Sequence, residues 1–391
     1  MSTIRVNAIQ NTNTTDGGIA IDGSGHVSIE GQTLPSAGPL SNRNLIINGA
    51  MQVAQRGTSS TSSDLRTVDR FYYNFGNTLA GTQSQQTLSS GTPYNEGFRN
   101  FYRFAISTVG SATSTYCQLI QGIEAQNIAT SGWQYASADS DVTVSFWVRS
   151  SVAQTFYGAL KTVDGTAQNY VFSFALSADT WTKVTKTIPG NSNVTINNDN
   201  GRGAELVIYP FMGTNYTDSG VNVDAWQAYS GGTRAPDMAT DWVLTNGATF
   251  DVTGVQLEVG SVATPFEHRS YGDELARCQR YFQVCIRNEE FVTACVTSSS
   301  GANTGLAFVN EMRAAPTITL ATAGSSAGNV AFLTTGGGTP STIGSHEALS
   351  ITTYGFRFKA SGYSASGWTS GAATNVYGYS TATVYTASAE L

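Results

Sequence analysis

Charge is scarce in this sequence. Only 12% of its 391 residues are Asp, Glu, Lys or Arg. No segment gathers Lys or Arg, so a phosphate-tracking groove would lack its electrostatic basis and nucleic acid is not expected as a partner. No run of about 18 apolar residues is present to cross a membrane as a helix. Met1 to Leu40 lacks the basic start and apolar centre of a signal peptide, so folding in a cytoplasm without membrane insertion is expected. The three histidines, His26, His268 and His346, lie far apart in no recognised motif, which leaves a histidine-based hydrolase without its machinery. Cys117, Cys278, Cys285 and Cys295 form no C-x-x-C pair, so thiols are expected rather than a zinc site.

What the sequence has is 41 glycines, 40% hydrophobic and 11% aromatic residues. That mixture suits short strands joined by many turns around a sizeable core. Along residues 142–149, Val142, Val144, Phe146 and Val148 alternate with Thr143, Ser145, Trp147 and Arg149, the period of a strand with one buried face. Further strands are predicted over 154–162, 170–176, 180–188 and 204–211, and Trp242 to Val252 reads as an Asn-Gly hairpin. Strands at this spacing predict an all-β fold with an antiparallel jelly-roll β-sandwich over residues 40–268. Tyr271, Leu275, Cys278 and Phe282 recur at helical spacing and predict a short linking helix within 269–283. Residues 284–391 are expected to form a small C-terminal β domain, with strands over 291–297, 317–320, 352–360 and 376–386. At the N-terminus, Ile19 and Ile21 precede the turn Asp22-Gly-Ser-Gly25 and Val27 and Ile29 follow it, which predicts a hairpin. Residues 1–39 bury too little alone, so Ile4, Val6, Ile9, Ile19, Ile21, Val27 and Ile29 are candidates for docking on partner chains.

Several dispersed segments carry a resemblance. They are Ser2 to Gln10, Asn44 to Gly57, Val68-Asp-Arg-Phe-Tyr72, Gly254 to Phe266, Tyr271 to Phe282, Met312 to Thr317 and Ala387 to Leu391. The run from Thr253 through Pro265-Phe266 to Phe282 is the most telling. Together these segments resemble tail-fibre and other appendage proteins of tailed bacteriophages, especially marine ones. The central domain is also similar to jelly-roll carbohydrate-binding modules, in which a late strand reads much like Phe250 to Leu257. The resemblance implies a non-enzymatic structural protein of the virion. It implies a homotrimer docked by its N-terminus on tail or capsid proteins and binding a host surface glycan or protein. A purely architectural fibre adaptor or capsid decoration protein is the alternative, and a glycan depolymerase a third.

Glycan surfaces combine exposed aromatic platforms with short polar side chains, because C–H faces stack on rings while hydroxyls need donors and acceptors. Three clusters fit: the C-terminal set Tyr363, Trp368, Tyr377 and Tyr379; Trp133 with Tyr135; and Trp226 with Tyr229. The C-terminal set is the first choice, since a distal domain is where a receptor meets a fibre. A depolymerase would need two carboxylates about 5–10 Å apart, and Asp139 with Asp141 or Asp218 with Asp224 are the pairs available, both in turn-like polar runs. No cofactor is expected. Asp69, Asp224, Asp251 and Glu258 are conceivable calcium ligands, but no motif assigns them.

Overall fold

The computed structural model describes residues 8–9, 18–23, 25–29, 32–286, 291–298, 301–320, 329–333, 341–342, 345–361, 370–371, 373–379 and 385–391. The chain divides into two compact units, residues 1–271 with Leu391, and residues 272–390. No helix among the described residues is long and apolar enough to cross a membrane.

The first unit opens with a four-stranded sheet of short strands, β1 (Ala8–Ile9), β2 (Ile19–Ile21), β3 (Val27–Ile29) and β4 (Gln32–Thr33). The predicted hairpin is present, with Ile19 opposite Ile29 and Ile21 opposite Val27. Ile19, Ile21 and Ile29 are exposed and Val27 is half-buried, while Ile9 pairs with Ile19 through the backbone. Ile4 and Val6 lie outside the described residues.

The sandwich follows, with the strands β5 (Ser59–Ser60), β6 (Tyr72–Gly76), β7 (Ala80–Thr87), β8 (Asn100–Thr108), β9 (Tyr116–Glu124) and β10 (Asp141–Ser150). It continues with β11 (Gln154–Thr162), β12 (Gln168–Leu176), β13 (Thr182–Pro189), β14 (Arg202–Met212), β15 (Ala225–Ala228) and β16 (Thr249–Val259). Two six-stranded antiparallel sheets result, in the orders β13-β10-β16-β8-β7-β5 and β15-β12-β11-β14-β9-β6. The chain passes repeatedly from one to the other, as a jelly roll does. Their inner faces share one core, in which Val142, Val144, Phe146 and Val148 of β10 meet Phe156, Phe172, Leu206 and Ile208. The alternation of β10 therefore reads as predicted. The expected hairpin at Trp242 is different: Asp241–Leu244 is a single helical turn. Trp242 is wholly buried and donates from Nε1 to the Thr249 carbonyl at 3.1 Å, so the tryptophan anchors a loop instead of pairing in a sheet.

A clasp holds the first and last segments of the sandwich together. Asn44 donates from Nδ2 to the Val255 carbonyl at 3.2 Å, and its Oδ1 accepts from the N–H groups of Ile46 and Leu257 at 3.0 and 3.1 Å. The two carboxylate oxygens of Glu267 accept from the N–H groups of Arg43 and Asn44, and Arg269 bonds Glu267 and the Ile46 carbonyl. Glu258 is buried against Thr264, taking its N–H at 2.8 Å and its hydroxyl at 2.6 Å, with Arg43 3.3 Å away. Asn48 sits at φ 62°, a left-handed position that Asn tolerates, and its amide ties Val53 to the Asp69 carbonyl. Glycine is required twice. A Cβ on Gly49 would lie 2.0 Å from the Val255 carbonyl oxygen, and Gly254, at φ +63°, lies over the Phe98 ring where β16 bulges against β10.

The second unit begins within the helix Tyr271–Gln279, which matches the predicted linking helix except at its end. Phe282 starts the next strand, and Glu274 and Cys278 are buried while Tyr271 is exposed. Its strands are β17 (Phe282–Ile286), β18 (Phe291–Ser298), β19 (Gly301–Ala307), β20 (Thr317–Thr319), β21 (Asn329–Leu333), β22 (Ser341–Thr342), β23 (Ser345–Leu349), β24 (Gly355–Ser361), β25 (Ala373–Tyr379) and β26 (Tyr385–Ser388). They form a seven-stranded sheet, β22-β21-β25-β18-β19-β24-β23, and a three-stranded one, β17-β26-β20. The strand expected over 376–386 is thus two, because β25 and β26 belong to different sheets. Phe356, Phe358, Leu306 and Tyr385 make most of the small core. All four cysteines are thiols, and burial pushes Cys285 up to about 12.

Replacing Asn44 with Ala strands two N–H groups, and urea unfolding should register a loss of about 1–3 kcal/mol for each. A loss under about 0.5 kcal/mol in total would mean that the clasp does not hold the fold. Burial alone would raise the Glu267 carboxyl, but the N–H groups of Asn44 and Arg43 and the charges of Arg269 and Arg43 outweigh it and lower its pKa. A depressed folded pKa contributes stability above the unfolded value of about 4.3 that is lost as pH falls through the folded one. The urea midpoint of the native chain should therefore drop more steeply on acidification than that of Glu267→Gln; parallel curves would contradict this.

Candidate functional site

Once both inner faces are used by the core, any binding surface of the sandwich must lie on an outer face or among the loops. On the second sheet, alternation turns Tyr72 and Asn74 of β6, Gln118 and Ile120 of β9, Glu205, Val207 and Tyr209 of β14, and Tyr157 and Lys161 of β11 outward. Strand register aligns them in rows. One runs Tyr72, Ile120, Val207, Ala159, Val171, Ala225, and the next runs Gly122, Glu205, Lys161, Asn169, Gln227. The segment after β14 folds back over part of this face, where Tyr216, Val221, Ala235 and Met238 pack with Ile120, Val207 and Tyr209.

A groove of about 230 Å³ remains, lined by Tyr72, Asn74, Gln118, Ile120, Lys161, Glu205, Val207, Tyr209, Tyr229 and Arg234. Glu205 is held between two cations, with Lys161 Nζ at 3.0 Å from Oε2 and Arg202 bonded to Oε1. The same ammonium lies 4.3 Å from the centre of the Tyr229 ring. Burial raises the Tyr72 hydroxyl pKa, with Arg202 acting in the opposite direction, so Tyr72 stays a protonated donor in neutral solution. The site thus combines two partly exposed rings with fixed donors and one fixed acceptor. Beside it, the fully buried Asn169 donates to the Arg234 carbonyl at 3.0 Å, while its Oδ1 and the neighbouring Gln227 Nε2 have no partner among the described residues.

No protein-family model matches the sequence, and no curated protein matches it. Solved structures do. A CBM4 structure is 12% identical, covers 54% of this chain and 97% of its own, with a TM-score of 0.29. A putative sugar binding protein from Bacteroides thetaiotaomicron is 12% identical over 55% of this chain and 99% of its own, with a TM-score of 0.30. TmCBM61 in complex with beta-1,4-galactotriose is 11% identical over 55% and 98%, with a TM-score of 0.24. Likenesses of this size assign no ligand to this chain.

Among the described residues, Tyr229 is the aromatic singled out in the sequence that lines the groove. Trp133 is a correction: it is 3% exposed, belongs to the sandwich core, and donates from Nε1 to the Ser140 carbonyl at 3.0 Å. Tyr135 packs on it at 6.2 Å and bonds the Ile196 carbonyl. Trp226 is half-buried against Tyr170, with Nε1 on the Pro189 carbonyl at 2.6 Å. Trp133 and Tyr135 thus turn inward from a loop, while Trp226 sits in the short edge strand β15 and packs against the core from there. Tyr377 and Tyr379 belong to β25, opposite Ala331 and Asn329; Tyr363 and Trp368 lie outside the described residues.

The acids have structural uses. Asp69 receives Gln55, Asp251 receives two arginines, Glu258 receives Thr264, and Asp224 is an exposed partner of Lys186. Asp218 caps its own turn at Gly220. No group of three or more metal-ligating side chains occurs among the described residues. His268 packs on Phe98 and Phe266, as its place after the Pro-Phe corner suggests.

Because Trp133 fills core volume, Trp133→Ala should lower the unfolding free energy by about 3–5 kcal/mol. An unchanged denaturation midpoint would return this residue to the surface.

Proposed function

We propose that this chain is a non-enzymatic glycan-binding adhesin, carried as a tail fibre or comparable appendage of a bacteriophage virion. The observation that supports glycan binding is the groove on the second sheet, where Tyr72 and Tyr229 flank the Lys161–Glu205–Arg202 cluster. Sugar rings offer apolar C–H faces to tyrosines and hydroxyls that both donate and accept. A carboxylate fixed between cations and beside amides answers both needs. The groove is below the about 300–1,000 Å³ of pockets that enclose a drug-sized ligand, so it would hold one side of a sugar chain rather than engulf it. Such contacts are individually weak, and three copies on one appendage would turn them into firm attachment.

The virion part of the proposal draws on the segments that resemble phage appendage proteins. The exposed Ile19, Ile21 and Ile29 of the N-terminal hairpin offer an apolar surface for trimer formation and for docking on tail or capsid proteins. The same hairpin also favours the second reading, an adaptor or decoration protein enclosed by other virion components.

Glycan microarray binding by the purified chain, repeated with Tyr229→Ala and Tyr72→Ala, tests the groove. Each variant should lose about tenfold in affinity, roughly one stacking contact, while keeping its circular dichroism spectrum. No binding by the native chain would reject the adhesin, and undiminished binding by both variants would reject this groove. Cryo-electron microscopy of the particle separates the two readings: three copies with the groove open to solvent support the adhesin, and a chain covered on that face supports the adaptor.

A further inference from the structure

The outer face of the first sheet is built differently from the groove. Register places Ser84, Arg103, Asp251 and Arg149 in one row across β7, β8, β16 and β10. Asp251 is wholly buried. Arg103 donates to it from Nε at 2.7 Å and from Nη2 at 2.8 Å, and Arg149 from Nε at 3.0 Å and Nη2 at 2.7 Å. Two guanidinium groups thus share one carboxylate, which leaves one positive charge uncompensated within the row. Both lie against aromatic rings: Arg149 is 4.8 Å from the Trp181 ring and 5.7 Å from Phe101, and Arg103 is 5.3 Å from Phe101. Phe101 and Trp181 meet edge to face at 5.6 Å.

Rigid guanidinium groups have little rotamer freedom left to lose on binding. Each keeps an Nη1 edge that bonds nothing among the described residues, and the Trp181 indole N–H is likewise unengaged. None of these nitrogens is a buried atom lacking a partner, so all three meet solvent. The Asp251 oxygens already take four N–H groups, and Ser84 Oγ already accepts from Gln86 Nε2. Glu96 is engaged by Lys183 and the Trp147 indole, and Asp179, exposed on the turn before β13, acts on Arg103 less than Asp251 does.

We propose that Arg103, Arg149 and Trp181 form an oxyanion site, separate from the groove, that takes the carboxylate or sulfate ester of an acidic sugar. A cluster with donors to offer and its acceptor saturated serves a neutral hydroxyl poorly, because a hydroxyl must also donate. It serves a planar or tetrahedral oxyanion well, since the guanidinium groups on either side of Asp251 offer N–H groups to oxygens that only accept. The flat Trp181 ring gives the sugar attached to that anion a surface to lie on.

Isothermal titration of the full chain with an oligogalacturonate, a sulfated galactan oligosaccharide and a neutral galactan oligosaccharide tests the site. Arg149→Gln is the informative variant, because Arg103 alone still satisfies both Asp251 oxygens and the buried carboxylate keeps its partner. Trp181→Phe keeps the ring and removes only the N–H, which covers the case in which Arg149→Gln fails to fold. Binding of one or both acidic probes, weakened by salt, is expected. Arg149→Gln should reduce it about tenfold or more, the factor one charge-assisted contact carries, and Trp181→Phe measurably less. Tyr229→Ala should leave it unchanged. Uronate binding alone would assign the carboxylate, and sulfate binding alone the ester. The proposal is overturned if neither acidic probe binds at millimolar concentration, if the neutral probe binds this face as well as the acidic ones, or if both variants bind like the native chain.

Discussion

The clasp between Asn44 and β16 is the constraint on which the sandwich depends. It joins positions 211 residues apart in sequence, so the entropy of closing a very long loop is met by a few buried hydrogen bonds. Every residue type in it has a specific duty. Asn44 supplies a donor and an acceptor in one short side chain, Gly49 lets the Val255 carbonyl approach, and Gly254 bends β16 at its bulge. Thr264 and Glu267 then fix the Pro265-Phe266 corner against Glu258, Arg43 and Asn44. This accounts physically for the segments that stand out in the sequence: Asn44 to Gly57, Val68 to Tyr72 and Gly254 to Phe266 are far apart along the chain yet form one hydrogen-bonded knot.

With the ends fastened and the inner faces given to the core, the two outer faces are free to diverge. On the second sheet, Glu205 sits between Lys161 and Arg202 and leaves a mixed surface of donors, acceptors and tyrosine rings. On the first, one carboxylate lies between two arginines with aromatic rings beneath them, and the surplus is entirely of donors. Both pair one acid with two bases, from the two neighbouring strands for Asp251 and from β11 and β14 itself for Glu205. They differ in which side chains line the adjoining surface, and the two proposed ligand classes, neutral sugar and oxyanion, rest on that difference.

The strands of the sandwich were legible because their signal is local. The alternation through Val142 to Val148 identifies the buried face of β10, and β11 lies where its residues predict it. The groove was not legible, because β6, β9, β11 and β14 each give it one to three residues that meet only through register. Tyr72, Lys161 and Glu205 look like ordinary outward positions until their strands are aligned; outward aromatic and charged residues at alternate positions were the available signal. The tryptophans Trp133, on a loop, and Trp226, on the edge strand β15, misled for a different reason. Glycine and serine around Trp133 and Trp226 report the backbone's path, whereas the indole follows the apolar core and finds a carbonyl for its N–H. Trp242 shows the same effect at Asn246-Gly247, where the turn is real but serves a buried anchor rather than a hairpin.

Low charge content makes the placement of each charge informative. The net charge is -7, yet the outer sheet faces gather cations: Arg103, Arg149 and Lys183 on one, Lys161 and Arg202 on the other. The acids among them are mostly buried and paired, as Asp251 and Glu205 are, while exposed carboxylates such as Asp139, Asp199 and Asp218 sit on the loops. An anionic ligand approaching such a molecule would meet repulsion from the loop acids and attraction where a sheet face presents surplus guanidinium. Screening confines each such field to about 8–10 Å at physiological salt, so the loop acids weaken the sheet site little while still disfavouring the rest of the surface. Scarce charge, sorted in this way, would orient an anionic ligand without a large basic patch.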